Sequence, residues 1–136
     1  MGSKKKADLR SYKLFLQLDR LPSSLNKKLR SHRFKNHKEN KSWDMLIGLE
    51  CSRKLPPYPL PRASISIVRH SHRMLDFDGL VGSVKPVVDA LVTAGVLQDD
   101  SWTVTGRWNV DQRFRPKKEG PMLEILIQGL PEFRQA

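Results

Sequence analysis

Residues 63–100 read ASISIVRHSHRMLDFDGLVGSVKPVVDALVTAGVLQDD, and this stretch decides the fold. Its first seven residues alternate small or polar side chains with β-branched ones, the pattern of a half-buried strand. Arg69, His70, His72 and Arg73 follow at the strand's end. Leu80, Val84, Val87, Val88 and Leu91 then recur at helical spacing, which predicts a helix over about 79–94 with Gly95 as its C-cap. Pro86 interrupts that span. Either the helix is kinked there, or residues 79–84 form a separate turn and Pro86 sits near a new N-terminus.

The flanks extend this strand-helix unit. Upstream, residues 12–18 read as a strand that Pro22 stops, and Ser24 is an N-cap candidate for a long polar helix over about 26–51. Four prolines between 55 and 61 exclude helix and give a stiff connector. Downstream, 102–111 and 122–127 read as strands joined by a basic loop over 113–120. The expected fold class is therefore α+β: one domain over 1–136, with a mixed β-sheet packed against two main helices. Residues 1–8 are expected to be a disordered basic tail. Trp43, Trp102, Trp108 and Phe77 are assigned to the core, and Cys51 is assigned as a small buried apolar group.

The chain of 136 residues carries 25 Lys and Arg against 14 Asp and Glu, a net charge of +11. The excess is uneven. Residues 1–54 carry net +10, whereas residues 76–100 carry five acids against one cation, Lys85. A basic domain of this size points to a polyanionic partner, with nucleic acid ahead of an acidic membrane. No apolar run approaches the ~18 residues that cross a bilayer. No apolar stretch follows the basic start, so a cytoplasmic location without a membrane partner is expected. A single cysteine excludes an intrachain disulfide, and His32, His37, His70 and His72 lack zinc-type partners.

The acidic island consists of Asp76, Asp78, Asp89, Asp99 and Asp100. In an extended segment, Asp76 and Asp78 would share one face. A helix returning the chain could bring Asp99-Asp100 beside them. Gathered carboxylates repel and call for a cation, and oxygen ligands without His or Cys select Mg²⁺, with Mn²⁺ as a substitute. Such an ion can activate water and stabilise a leaving oxygen at a phosphodiester. Asp is also a common cap and turn residue, so Asp78 as an N-cap and Asp99-Asp100 as a turn remain open here.

The run Leu75-Asp76-Phe77-Asp78-Gly79-Leu80, then Lys85, Asp89-Ala90-Leu91, Gly95 and Asp99-Asp100, resembles the RusA family of Holliday-junction resolvases, phage-type members included. The resemblance covers about residues 76–100. Two departures stand out: Gly79 replaces the family's Asn, and Asp78 and Lys85 are three residues further apart than in the shortest members. The resemblance implies a homodimeric, Mg²⁺-dependent endodeoxyribonuclease that nicks four-way junctions in symmetric pairs, without a small-molecule cofactor. Residue by residue it implies Asp76, Asp78, Lys85 and Asp100 as catalytic, Asp76, Asp78, Asp99 and Asp100 as metal-binding, and Asp89 as supporting, paired with Lys85 one helical turn away. Lys27, Lys28, Arg30, Arg33 and Lys35 are candidates for phosphate contacts along the DNA arms, and Arg69 and Arg73 for holding the scissile strand. Two other readings are carried: a non-catalytic basic nucleic-acid-binding protein, and a metal nuclease for other branched DNA.

Overall fold

Alternation of two builds the sheet. In β1 (Lys13–Leu18) every second side chain is buried; β2 (Ala63–Ser71) and β4 (Met122–Gly129) repeat the pattern. The computed structural model describes residues 11–23 and 33–131. β3 (Asn109–Phe114) completes a four-stranded sheet of order β1-β4-β2-β3. β4 runs antiparallel to both of its neighbours, and β2 and β3 are parallel. Ile125 faces Leu16 on one side and Ile67 on the other, so one face of the central strands is a continuous aliphatic layer. Burying that face is the main stabilising term of the fold. The domain is α+β with a mixed sheet, as the residue pattern predicts.

Two helices cover the aliphatic face. In α1 (Arg33–Cys51), Trp43, Ile47 and Cys51 recur every fourth residue and are fully buried. The Pro86 interruption resolves into two helices, α2 (Phe77–Ser83) and α3 (Lys85–Thr93). Val84 ends the first and caps the second, which places Pro86 in the first turn of α3, where its missing N–H costs nothing. Val84, Val87, Val88 and Leu91 reach the core, and α3 packs on α1. The proline connector is pinned at Leu60, whose N–H donates to Val96 O (2.9 Å) and whose carbonyl accepts from Gln98 N (3.0 Å). Tyr12 beside β1 donates its hydroxyl to Lys54 O (2.6 Å) past the end of α1.

Several expectations are corrected. Residues 102–105 form one helical turn, α4 (Trp102–Thr105), and not a strand. The N–H groups of Val104 and Thr105 both donate to Ser101 O (3.0 Å each), and the Thr105 hydroxyl accepts from Trp108 Nε1 (2.9 Å). These local bonds override the β-propensity of Trp-Thr-Val-Thr. Gly106 then turns the chain at φ +57, a region that favours glycine. Phe77 and Trp102 are not core residues but exposed, at 64% and 73%. The proposed basic tail, the Ser24 cap and residues 26–32 of the long helix lie outside the described residues. Among the described residues no helix is long and apolar enough to cross a membrane.

Cys51 is fully buried and its thiol is pushed up to about 11 by burial. A thiol without thiolate character is inert. Ellman's reagent at neutral pH should therefore label Cys51 only as fast as the core opens, and instantly in denaturant. Labelling of the native protein at the rate of a free thiol would contradict this packing.

Candidate active site

The acidic island is laid out by the start of α2, the body of α3 and the segment that follows α3. Asp76 is not extended with Asp78, as alternation would have it; it is the N-cap of α2, and its Oδ1 accepts from Gly79 N at 2.9 Å. Asp78 follows in the first turn, where a negative charge complements the helix dipole. The cap residue is thus Asp76, whereas Asp78 was the expected candidate. The chain before α2 is fastened by Gln112 of β3, whose side chain accepts from Leu75 N (2.9 Å) and donates to Leu75 O (2.7 Å).

Lys85, in the first turn of α3, is the hub. Its ammonium donates to Asp89 Oδ1 at 2.8 Å and to Asp100 Oδ2 in a short contact. Asp99 orients its neighbour by accepting from Asp100 N at 2.8 Å. The Asp100 carboxyl is held below its ordinary range, chiefly by the Lys85 hydrogen bond. For Lys85, burial acts to lower the pKa, but the hydrogen bonds it donates to Asp100 and Asp89 outweigh it and leave the pKa raised.

The Asp100 contribution to stability is present above its unfolded pKa and is lost as pH falls through the depressed value. That of Lys85 is present below its unfolded pKa and is lost as pH rises through the raised value. The pair therefore stays doubly charged across the neutral range.

Of the expected residues, the structure brings together Lys85, Asp89 and Asp100, with Asp99 as a backbone support. Asp76 and Asp78 stand at the start of α2. Phe77, between them, lines a hollow of about 390 Å³ with Asp100, Trp102, Arg107 and Trp108. No three acids or histidines gather as a metal-holding group among the described residues. Arg69 is buried at the end of β2 and Arg73 is exposed just beyond it. Arg33 and Lys35 lie on the backbone of α1, with side chains outside the described set; Lys27, Lys28 and Arg30 lie outside it altogether. Sequence reasoning missed Gln112 and Arg107, which carried no signal beyond their place in an alternating segment. No protein-family model matches the chain, and no curated protein matches it.

Gly79 has a visible consequence. A β-carbon there would collide with Asp76 Oδ1, so any side chain must displace the cap. Gly79→Ala should lose the cap bond, about 0.5–2 kcal/mol, and regain about 1 kcal/mol of helix propensity. Urea denaturation should show a net change within about 1 kcal/mol, with the Asp76 carboxylate released. A loss beyond about 3 kcal/mol would mean that Asp76 cannot give way.

Proposed function

We propose that the protein is a cytoplasmic, structure-selective endodeoxyribonuclease that resolves four-way DNA junctions by paired symmetric nicks. The observation that carries the reading is Lys85 held between Asp89 and Asp100, with Asp100 sharing a hollow with Phe77 of the α2 start that bears Asp76 and Asp78, in a chain of net charge +11. The sequence run that resembles the RusA family supplies the same residues. Basic surface attracts the DNA backbone, and an acidic patch within it confines the chemistry to one place. A four-way junction has two-fold symmetry, so a homodimer with two equivalent sites is the economical agent.

Mg²⁺, with Mn²⁺ as substitute, is proposed from donor chemistry: the acids offer only hard oxygens. As arranged, they do not form its seat. Asp76 Oδ1 is engaged by Gly79 N–H and Asp100 by Lys85, so two of the four proposed ligands would have to exchange these partners before they could hold the ion. What the chain's own groups do is narrower. Asp100, with its depressed pKa, is a poor proton acceptor, so its role is electrostatic. Lys85 stays protonated and cannot act as a base; its ammonium can leave Asp100 for a phosphate oxygen and stabilise charge developing there.

A second reading has its own observation. Asp76 as a cap, and Asp89 and Asp100 neutralised by Lys85, are roles that a non-catalytic nucleic-acid-binding protein would also give them. Incubating the protein with four-way, forked, flapped and linear DNA separates the readings. Selective nicking of the four-way substrate is expected. Nicking of forks or flaps in preference would reassign it to other branched DNA, and binding without nicking would favour the binding module.

A further inference from the structure

Arg69 shares the helix-covered face of β2 with Ile65 and Ile67. It is only 9% exposed, and its Nε has no hydrogen-bond partner. No carboxylate pairs with it among the described residues. Burial lowers the guanidinium pKa, yet arginine remains charged in proteins. A buried, unpaired cation is costly and calls for an acceptor that the fold does not supply.

Arg69 lines a hollow of about 490 Å³ at the C-terminal end of β2, together with Ser71, His72, Arg73 and Lys117. Among the described residues no acidic one lines it. Lys117 comes from the short 3₁₀ turn Lys117–Glu119 before β4, so cations converge from two separate parts of the chain. Ser71 Oγ accepts from Arg73 N at 3.2 Å, which leaves the hydroxyl proton for another acceptor. A buried arginine, a hydroxyl and two exposed cations form a tetrahedral-oxyanion site. At about 490 Å³ the hollow has room for a phosphate together with its flanking sugars.

We propose that this hollow seats a backbone phosphate of the bound nucleic acid, with Arg69 as its buried guanidinium and Arg73 and Lys117 as its exposed cations. The proposal rests on the nucleic-acid reading above and adds a positioning site distinct from the acidic one. The two are mechanically joined. Arg69 is paired in register with Gln112 across β2 and β3, and Gln112 grips Leu75 next to Asp76. A phosphate held at Arg69 therefore fixes the strand relative to the start of α2.

The test compares wild type, Arg69→Met and Arg69→Lys by anisotropy with a labelled four-way junction over a salt series, and by melting with inorganic phosphate at constant ionic strength. Arg69→Met should weaken junction binding roughly tenfold or more, the worth of a charge-assisted hydrogen bond. It should also reduce the salt slope by about 1, leave Tm in phosphate-free buffer unreduced, and abolish any rise in Tm with phosphate. Arg69→Lys should fall between. Wild-type affinity and slope in Arg69→Met would overturn the site while leaving the nucleic-acid reading intact. A phosphate-dependent rise in Tm in a wild type that binds no DNA would overturn the backbone assignment and the proposed function together. Should Arg69→Met fail to fold, the surface double variant Arg73→Gln, Lys117→Gln must lose both the phosphate response and junction affinity; retention of both would overturn the proposal.

Discussion

Asp78→Asn should abolish junction cleavage, by on the order of 10³-fold or more, while junction affinity stays within a few-fold of wild type, because Asp78 is the one member of the proposed metal set whose carboxylate no hydrogen bond engages among the described residues. The substitution removes one negative charge and keeps the shape. Asp78 sits in the first turn of α2, is exposed, and supports no core residue, so folding should survive. The only structural term at stake is its favourable interaction with the helix dipole, about 0.3–1 kcal/mol. Loss of a repelling carboxylate should, if anything, favour DNA. Single-turnover nicking beside an anisotropy titration makes the comparison. If Asp78→Asn nicks at the wild-type rate, the acidic island is a set of caps and turns, and the site lies elsewhere.

The largest stability effect is expected at Trp43. Its side chain is fully buried in the hydrophobic core, in line with Ile47 and Cys51 on α1, and Arg20 stacks over its ring at 4.8 Å. Trp43→Ala should cost about 3–5 kcal/mol through lost burial and the cavity left behind. That is a large share of the roughly 5–15 kcal/mol that holds a domain together. Trp43→Phe should cost clearly less, because the indole Nε1 is buried without a partner and its removal relieves an unmet polar group. Urea midpoints of the two variants test both statements. A loss below about 1 kcal/mol for Trp43→Ala would show that α1 is not packed on the sheet as described.

The sheet was legible because β1, β2 and β4 bury one face and alternate strictly, and a period of two survives in sequence. The same parity puts Arg69 in phase with Ile65 and Ile67 and buries it, whereas the sequence reading places it at the strand's end as a contact to the scissile strand. The split at Pro86 was readable as one of two options, since proline cannot sit mid-helix but suits a first turn. α4 was not legible: Trp-Thr-Val-Thr has strand composition, and what makes it a helical turn is Ser101 O receiving two N–H groups and Gly106 ending the turn. Phe77 was misplaced for a related reason. Extending strand parity through Asp76 pointed it inward, whereas Asp76 starts a helix and turns it to solvent.

Within the site, Lys85 and Asp89 were legible because i and i+4 share a helix face. The contact of Lys85 with Asp100 spans fifteen residues and depends on where the chain returns after α3. The same limit applies to the metal set. Residue type identified Asp76, Asp78, Asp99 and Asp100 as hard oxygen donors, but whether they converge is a tertiary property, and as arranged Lys85 and the Gly79 amide hold two of them.

The most direct test of the junction-resolving assignment is to map the nicks that wild-type protein makes in a synthetic four-way junction, with Mg²⁺ and with chelator, beside a linear duplex of the same sequence. Nicks at symmetric positions on two opposing strands, dependent on Mg²⁺ and absent from the duplex, are expected. Tight junction binding with no nicks in Mg²⁺ or Mn²⁺ would contradict the assignment and leave a nucleic-acid-binding protein whose acids serve only the fold.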